Sequence, residues 1–237
     1  MTSNGTRSFA WRLYVIVDPT AARGRRLDDL AATAIRGGAD AIQLRDKTAT
    51  TRQVLAEAAR LLAVTRPAKV PLLINDRADV AAAVGADGVH LGQDDLPVRQ
   101  ARRLLGASAI IGLSTHSLAQ AQAALEEPVD YLGLGPIFPT PTKPGHGSIG
   151  VELICPVRRA ARCPVVCIGG VDAETVDRII EAGGACVAVV RAVCAAADPE
   201  TAARALASRL TQLLPSTPPD PAIMFPPKEE GSTASCR

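Results

Sequence analysis

Residues Ala41–Lys47, with the sequence AIQLRDK, begin as an apolar strand and end as a cluster of charged side chains. Successive side chains of a strand point to opposite faces, so Gln43, Arg45 and Lys47 would share one face. A strand of a parallel sheet is covered on both faces and is normally apolar throughout. The pattern therefore predicts a cleft in which two cations and an amide hold an anion. An exposed edge strand, or a solvated loop after a short strand, is the alternative.

The same alternation of a short apolar strand and a helical segment recurs on both sides of this stretch. Eight such units in about 200 residues predict an α/β fold, a single closed (β/α)8 TIM barrel. A doubly wound open sheet is the alternative, but it usually has a Gly-rich fingerprint after its first strand, where this chain has Asp18-Pro19-Thr20. The predicted strands are Leu13–Val17, Ala41–Asp46, Pro71–Asp76, Gly88–Leu91, Ala109–Leu113, Tyr131–Leu134, Pro164–Ile168 and Ala185–Val190.

Composition agrees with one domain whose core is made of small and medium-sized aliphatic side chains. The chain has 237 residues, of which 47% are apolar and only 3% aromatic, so Ala, Val, Leu and Ile must fill the interior. We expect the barrel to span residues 11–214. Residues 1–10 are polar, and residues 215–237 are rich in Pro, Ser and Glu, so both are predicted to be disordered.

Charge and cysteine content narrow the class of protein further. The net charge is +2, and no basic block with interleaved aromatic residues indicates nucleic-acid binding. The six cysteines form no C-x-x-C pair, and four of them lie in apolar segments, which favours a reducing, cytoplasmic location. We expect no signal peptide, since residues 1–10 are polar, and no apolar run approaches membrane-spanning length.

Polar side chains follow strand after strand at the predicted carboxyl ends, where barrels of this kind place their active sites. Together they predict a polar ring on one rim of the barrel. Its members are Arg45-Asp46-Lys47, Asn75-Asp76-Arg77, Gln93-Asp94-Asp95, Ser114-Thr115-His116, Thr140-Pro141-Thr142-Lys143 and Gly169-Gly170.

Asp76 and Asp95 end neighbouring predicted strands and could share a divalent cation. Mg²⁺ prefers one or two carboxylates together with waters and substrate phosphates. Two alternatives stay open: Asp76 could pair with Arg77, or Asp95 could cap the helix that begins at Pro97. The cations around this pair suit a diphosphate and are Arg45, Lys47 and Lys143.

A second phosphate could bind beside the seventh strand. Gly169-Gly170 precedes a helix and could present backbone N–H groups, unless it is an ordinary turn. Thr140 and Thr142 could donate their hydroxyls to the same phosphate, or could be merely loop residues.

The three histidines do not suggest a zinc site. His90 lies inside the fourth strand, which favours a structural role. His116 at the rim is expected to orient Ser114 or the substrate. His146 lies in a Gly-rich loop and is expected to be a mobile, solvated residue.

These motifs, taken in order, resemble thiamine-phosphate synthase from Leu13 to about Leu210. The resemblance rests on Gln43-Leu44-Arg45-Asp46-Lys47, Ile74-Asn75-Asp76-Arg77, His90-Leu91-Gly92-Gln93-Asp94-Asp95, Gly112-Leu113-Ser114-Thr115-His116, Gly133-Leu134-Gly135-Pro136-Ile137-Phe138, Thr140-Pro141-Thr142-Lys143 and Gly169-Gly170-Val171.

The resemblance implies a transferase that joins a hydroxymethylpyrimidine diphosphate to a thiazole phosphate with Mg²⁺, releasing pyrophosphate and thiamine phosphate. It implies that Asp76 and Asp95 bind the metal. By the family pattern, the pyrimidine diphosphate is held by Gln43, Arg45, Lys47, Asn75, Ser114 and Lys143. The thiazole phosphate is held by Thr140, Thr142, Gly170, Val190 and Arg191. Within the matching motifs, Leu44, Asp46 and Pro141 are also expected to contact substrate.

The chemistry of the rim agrees with that reaction. Breaking the carbon–oxygen bond builds charge on the leaving pyrophosphate, and fixed cations and Mg²⁺ stabilise it. We therefore interpret Arg45, Lys47, Ser114 and Lys143 as the catalytic residues and expect a dissociative step without a side-chain nucleophile. Replacing Lys143 by Ala is expected to lower kcat.

One position departs from the family pattern. Arg191 stands where the family usually has a small hydroxyl residue, so it could strengthen phosphate binding, block the backbone donors or turn outward. Two other functions are conceivable, a thiazole tautomerase-like isomerase and a non-catalytic phosphate-binding barrel. A homo-oligomer is possible.

Overall fold

A computed structural model describes residues 11–140 and 147–213, and in them eight parallel strands close a barrel in sequence order. The predicted (β/α)8 barrel is therefore confirmed, and the open sheet is excluded. The predicted lead and tail lie outside the described residues. The strands are β1 (Leu13–Val17), β2 (Ala41–Leu44), β3 (Leu72–Asn75), β4 (Gly88–Leu91), β5 (Ile110–Thr115), β6 (Tyr131–Leu134), β7 (Val165–Ile168) and β8 (Cys186–Val189).

The helices that the structure describes surround the barrel; each of the first eight follows a strand, and the last one follows α8. One of them, a single turn after β8, was not predicted, because four residues are too few to show a helical period. They are α1 (Leu27–Arg36), α2 (Thr51–Ala68), α3 (Ala78–Val84), α4 (Val98–Leu105), α5 (Leu118–Ala124), α6 (Ile154–Ala160), α7 (Val176–Glu181), α8 (Arg191–Cys194) and α9 (Pro199–Leu213).

Side chains close the turns before two of the helices in different ways. Ser117 is the N-cap of α5, since its hydroxyl accepts the N–H of Gln120 at 3.1 Å. Asp172 instead closes the turn before α7, where its carboxylate accepts the N–H groups of Glu174 and Thr175 at 3.0 Å. The helix itself begins one residue later than that turn, with Thr175 as its N-cap.

The core has two shells, because alternate residues of each strand face opposite sides. Outward-facing Leu, Ile and Val pack beneath the Ala-rich helices, as the composition predicted. The inner shell differs, since two tyrosine rings occupy it and stack edge-on at 6.1 Å, with Trp11 against both. The inner residues are Tyr14, Ile16, Ala41, Leu73, Ile110, Tyr131, Val166, Cys186 and Ala188.

Gly112 makes room for one of these rings. A Cβ at this position of β5 would lie 2.1 Å from Cζ of Tyr131 on the neighbouring strand. No such contact is tolerated between non-bonded carbons, so the tyrosine side chain requires a glycine here.

Carboxylates link strands in pairs at the amino-terminal end of the barrel. Asp40 precedes β2 and accepts the N–H of Leu13 at 2.9 Å. Asp87 precedes β4 and accepts the N–H of Leu72 at 2.9 Å, and Asp130 precedes β6 and accepts the N–H of Ile111 at 2.7 Å. Each thus binds the beginning of the strand before its own. The corresponding residue before β8 is Ala185, which has no acceptor side chain.

Four cysteines are buried as small apolar side chains, as predicted. Burial raises the pKa of Cys163, Cys167 and Cys194 to about 12, and it raises the pKa of Cys186 as well. Their thiols are therefore protonated and unreactive at neutral pH. Within the described ranges, no helix combines the length and apolar character needed to cross a membrane.

Candidate active site

A cavity of about 1310 Å³ opens where the carboxyl ends of the strands meet. The polar ring predicted at this rim is therefore assembled around one space. The predicted site residues that line it are Gln43, Arg45, Lys47, Asn75, Asp76, Asp95, Ser114, Thr140, Gly170, Val190 and Arg191.

All three polar side chains of Ala41–Lys47 line the cavity, although only Gln43 lies within β2, and Arg45 and Lys47 belong to the loop that follows it. β2 pairs with β1 and β3, so it is an interior strand and the edge-strand alternative is excluded. Gln43 is buried within the barrel, while Arg45 and Lys47 follow the strand end and are 15% and 53% exposed. The amide of Gln43 thus lies deepest in the cavity, and the two cations lie nearer to its opening.

Asp18, at the end of β1, fixes the guanidinium of Arg45. The two side chains form an ion pair, and the Asp18 side chain is only 1% exposed. Its other oxygen accepts the backbone N–H and the hydroxyl of Thr20, at 2.8 and 2.6 Å. Sequence reasoning did not identify Asp18, because nothing local indicates that β1 and β2 bring it beside Arg45.

Two predicted substrate residues of this stretch point elsewhere. The Leu44 side chain faces the outer core. The Asp46 carboxylate accepts the N–H groups of Thr48 and Ala49, at 2.9 and 3.0 Å, and so closes its own turn. Neither side chain lines the cavity. Pro141, Thr142, Lys143 and His146 lie outside the described residues, so their roles stay predictions.

Asp76 and Asp95 stand together, as the rim pattern predicted. Lys47 Nζ lies 3.0 Å from Asp76 Oδ2, and the Gly92 N–H donates to Asp95 Oδ2 at 2.6 Å. Burial, and then the nearby Asp76 carboxylate, raises the pKa of Asp95. Two acidic groups in one partly buried place would be stabilised by a cation.

Neither structural alternative for these two aspartates agrees with the contacts. Arg77 pairs with Asp79 at 2.6 Å rather than with Asp76. Asp95 accepts the Gly92 N–H, and α4 begins at Val98 without a side-chain cap.

The pair suits Mg²⁺ better than a metal that requires many protein ligands. Among residues 11–140 and 147–213, no group of three or more His, Cys, Asp or Glu side chains could hold a metal ion. Two carboxylates with space beside them match Mg²⁺, which takes its other ligands from water and substrate oxygens.

A continuous set of polar contacts runs inside the barrel below this rim. Gln43 Nε2 donates to the Tyr14 hydroxyl at 2.6 Å, and that hydroxyl lies 3.2 Å from the Tyr131 hydroxyl. The Tyr131 oxygen is 2.8 Å from His90 Nδ1, and His90 Nε2 is 2.8 Å from Ser114 Oγ.

This arrangement modifies the interpretation of the histidines. His90 does pack within the barrel, but it also lines the cavity and contacts Ser114. His116 was expected to orient Ser114 or the substrate. Its Nδ1 contacts the Gly135 carbonyl oxygen, and its side chain also lines the cavity, so a role toward the substrate stays a prediction.

The opposite side of the cavity is built by the ends of β6, β7 and β8. Gly169 and Gly170 have φ angles of +99° and +64°, so the predicted turn is a left-handed one that favours glycine. A Cβ on Gly170 would lie 2.7 Å from the Pro139 carbonyl oxygen, so the two loops approach closely. Val190 and Arg191 follow β8 on the same side.

Two further arginines line the cavity without having been predicted. Arg23 lies in the turn after β1, with φ of +53°. Arg178 of α7 places its guanidinium 4.9 Å from the centre of the Phe138 ring.

The sequence did contain a weak signal for the polar contacts inside the barrel, since the only two tyrosines of the chain both lie within predicted strands.

Comparison with known proteins gives a consistent result. The family model described as thiamine monophosphate synthase matches residues 13–193. The thiamine-phosphate synthase of Chloroflexus aurantiacus is 48% identical over 83% of this chain and 91% of its own. That of Albidiferax ferrireducens is 46% identical over 90% of this chain and 95% of its own. The structure titled thiamine phosphate pyrophosphorylase from Pyrococcus furiosus superposes with a TM-score of 0.79 at 34% identity, covering 87% of this chain and 98% of that one.

Proposed function

The chain belongs to the thiamine monophosphate synthase family, and we propose that it joins a hydroxymethylpyrimidine diphosphate to a thiazole phosphate. The products are thiamine phosphate and pyrophosphate. The observation that carries the proposal is that one cavity holds both the anion-binding cations and the carboxylate pair of the family motifs. The chain is then a transferase of a pyrimidinylmethyl group.

Arg45 and Lys47 bind the diphosphate in this proposal. Both are cations that line the cavity, and Arg45 is held in place by Asp18. When the carbon–oxygen bond breaks, its electron pair stays on the leaving pyrophosphate. Cations fixed beforehand stabilise that developing charge without the cost of reorganising solvent.

Asp76 and Asp95 would hold Mg²⁺. The metal, when bound, supplies positive charge to the diphosphate oxygens. Lys47 is 3.0 Å from Asp76 and would bridge the carboxylate pair and the diphosphate.

The methylene carbon is then captured by the thiazole nitrogen. An electron-rich aminopyrimidine tolerates positive charge on its methylene, so a dissociative step suits this substrate. No side-chain nucleophile is required, and among the described residues none of the cavity-lining side chains is a cysteine.

The thiazole phosphate would occupy the side formed by the ends of β6, β7 and β8. Thr140, Gly170, Val190 and Arg191 line this side. Arg191 would add a fork of N–H donors to the phosphate. Lys143, Thr142 and Pro141 are proposed for this reaction on the family pattern alone. A cytoplasmic location is proposed from the cysteine content, and a homo-oligomer stays a prediction.

The proposal is tested by a coupled assay of pyrophosphate release. Purified protein receives both substrates, with Mg²⁺ or with EDTA, and thiamine phosphate is quantified in parallel. Equal amounts of the two products, formed only with Mg²⁺, are expected. Release that is unaffected by EDTA would contradict the metal role. Binding of thiamine phosphate without any turnover would favour a non-catalytic phosphate-binding barrel.

Two variants test whether Lys47 takes part in the reaction. Lys47→Ala is expected to lower kcat, because Lys47 faces the cavity beside Asp76. Arg52→Ala is the matched control, since Arg52 is an exposed cation of α2 that does not line the cavity. Equal activity of the two variants would remove Lys47 from the mechanism.

A further inference from the structure

We propose that Gln43, Tyr14, Tyr131, His90 and Ser114 form one directed hydrogen-bond chain, which presents an acceptor at Gln43 and a donor at Ser114 to the pyrimidine ring. Tyr14, Tyr131 and His90 are positioning residues in this chain. The inference rests on the proposed function, because it specifies how the site recognises the ring of the pyrimidine diphosphate.

The direction of the chain is set at Gln43. An amide nitrogen can only donate, so the contact of Nε2 with the Tyr14 hydroxyl at 2.6 Å makes the Tyr14 oxygen an acceptor. The amide oxygen of Gln43 then has no donor among residues 11–140 and 147–213, and Gln43 lines the cavity. The Gln43 side chain therefore offers an acceptor to a ligand.

The two phenols transmit this direction. The Tyr14 oxygen already accepts from Gln43, so its own hydrogen is directed to the Tyr131 oxygen, 3.2 Å away. The Tyr131 hydrogen is in turn directed to His90 Nδ1, at 2.8 Å. Burial raises the pKa of both phenols above their ordinary value, so both carry their hydrogens at neutral pH.

His90 is held as one tautomer by this contact. A neutral imidazole whose Nδ1 accepts a hydrogen bond carries its hydrogen on Nε2. That hydrogen is directed to Ser114 Oγ, at 2.8 Å. The ring is fixed by stacking on Tyr131, with centroids 5.5 Å apart, and a Cβ at Gly133 would come within 3.0 Å of it.

Ser114 is therefore a donor toward the cavity. Its oxygen accepts from His90, and its own hydrogen is left for a ligand. An aminopyrimidine offers an amino donor on one side of its ring and an acceptor nitrogen on the other. This pattern complements an acceptor at Gln43 and a donor at Ser114, whereas a 4-oxo pyrimidine would present an oxygen to the acceptor at Gln43.

The tautomer of His90 is a readout that does not depend on activity. The chain has only three histidines, so their ¹⁵N imidazole resonances are separable, and His90→Gln assigns those of His90. We expect the wild-type protein to show neutral His90 with hydrogen on Nε2. Hydrogen on Nδ1 in the wild-type protein would overturn the proposal, whatever any variant does.

Tyr131→Phe interrupts the chain while keeping the stacked ring. We expect a mixture of His90 tautomers and a rise of roughly five- to tenfold in KM for the pyrimidine diphosphate, with a smaller effect on kcat. Thr65→Val is the matched control, because Thr65 also carries a buried hydroxyl but lies in α2 and does not line the cavity. Unchanged KM and tautomer in Tyr131→Phe would overturn the proposal.

Tyr14→Phe tests the Gln43 end of the hydrogen-bond chain, and it provides the test if Tyr131→Phe does not fold. It frees Gln43 to rotate, so we expect discrimination between the amino substrate and its 4-oxo analogue to fall by about tenfold. Unchanged discrimination would contradict the direction assigned to Gln43. Failure of the proposed function is distinguishable, because it would abolish wild-type pyrophosphate release while leaving the His90 tautomer as inferred.

Discussion

Replacing Asp18 by Asn removes the charge that holds Arg45. The substitution keeps the shape of the side chain and an oxygen for Thr20, but it leaves the guanidinium without its anion. The Asp18 side chain is 1% exposed and that of Arg45 is 15% exposed, so the remaining charge is largely removed from water. Breaking a buried ion pair by removing one partner costs about 3–5 kcal/mol. The retained oxygen and the residual exposure place the expected loss near the lower end, at about 3 kcal/mol.

Urea unfolding measures this loss. Trp11, the only tryptophan, stacks on Tyr14 and reports the barrel floor by fluorescence, while circular dichroism reports the helices. Asp177→Asn is the control, because Asp177 pairs with Arg209 at the surface, where the loss of an ion pair has little effect on the free energy of unfolding. A loss in Asp18→Asn as small as in this control would refute the reasoning.

Pyrophosphate adds a second requirement. If Arg45 faces the anion site, bound pyrophosphate supplies part of the charge that Asp18→Asn has lost. The difference in the free energy of unfolding between wild type and variant should therefore shrink when Mg²⁺ and pyrophosphate are added. A difference that stays constant, with pyrophosphate bound to both proteins, would place Arg45 outside the anion site.

Three other changes test separate features. Arg191→Ser should raise KM for the thiazole phosphate about tenfold if the guanidinium binds the phosphate, and an unchanged KM would show that it does not. Asp95→Asn should abolish most turnover yet increase the free energy of unfolding in metal-free urea melts at neutral pH, because burial and the nearby Asp76 carboxylate raise the pKa of Asp95 and so make its ionised form less favourable in the folded chain than in the unfolded one. Gly112→Ala should destabilise the barrel by about 3 kcal/mol or more, since its methyl group would overlap the Tyr131 ring, whereas Gly147→Ala meets no atom within 4 Å and should be nearly neutral in the same thermal melts.

The barrel was predictable because each strand carries its own signal. A short apolar run between two helical segments is visible without any knowledge of its neighbours, and eight of them indicated closure. The positions at which the strands end were predicted less accurately. The strand predicted to reach Asp46 stops at Leu44, since the pairing that defines it depends on β1 and β3.

The rim of the site was predictable for a similar reason. Strand ends of a parallel barrel meet at one side, so polar residues there are brought together whatever the register. Contacts between strands were not predictable. Asp18 with Arg45, and Tyr131 with His90, depend on which residues face each other across the barrel, and only the three-dimensional register gives this.

The carboxylates at the amino-terminal end of the barrel have a consequence for its local opening. They link β1 with β2, β3 with β4 and β5 with β6, whereas Ala185 supplies no such link between β7 and β8. Amide hydrogen exchange should therefore be fastest in that last pair, which opens at the lowest free energy. This pair also carries Gly170 and Arg191, on the side of the cavity assigned to the thiazole phosphate. The barrel would thus open first on the side of the cavity where one substrate must enter and the larger product must leave.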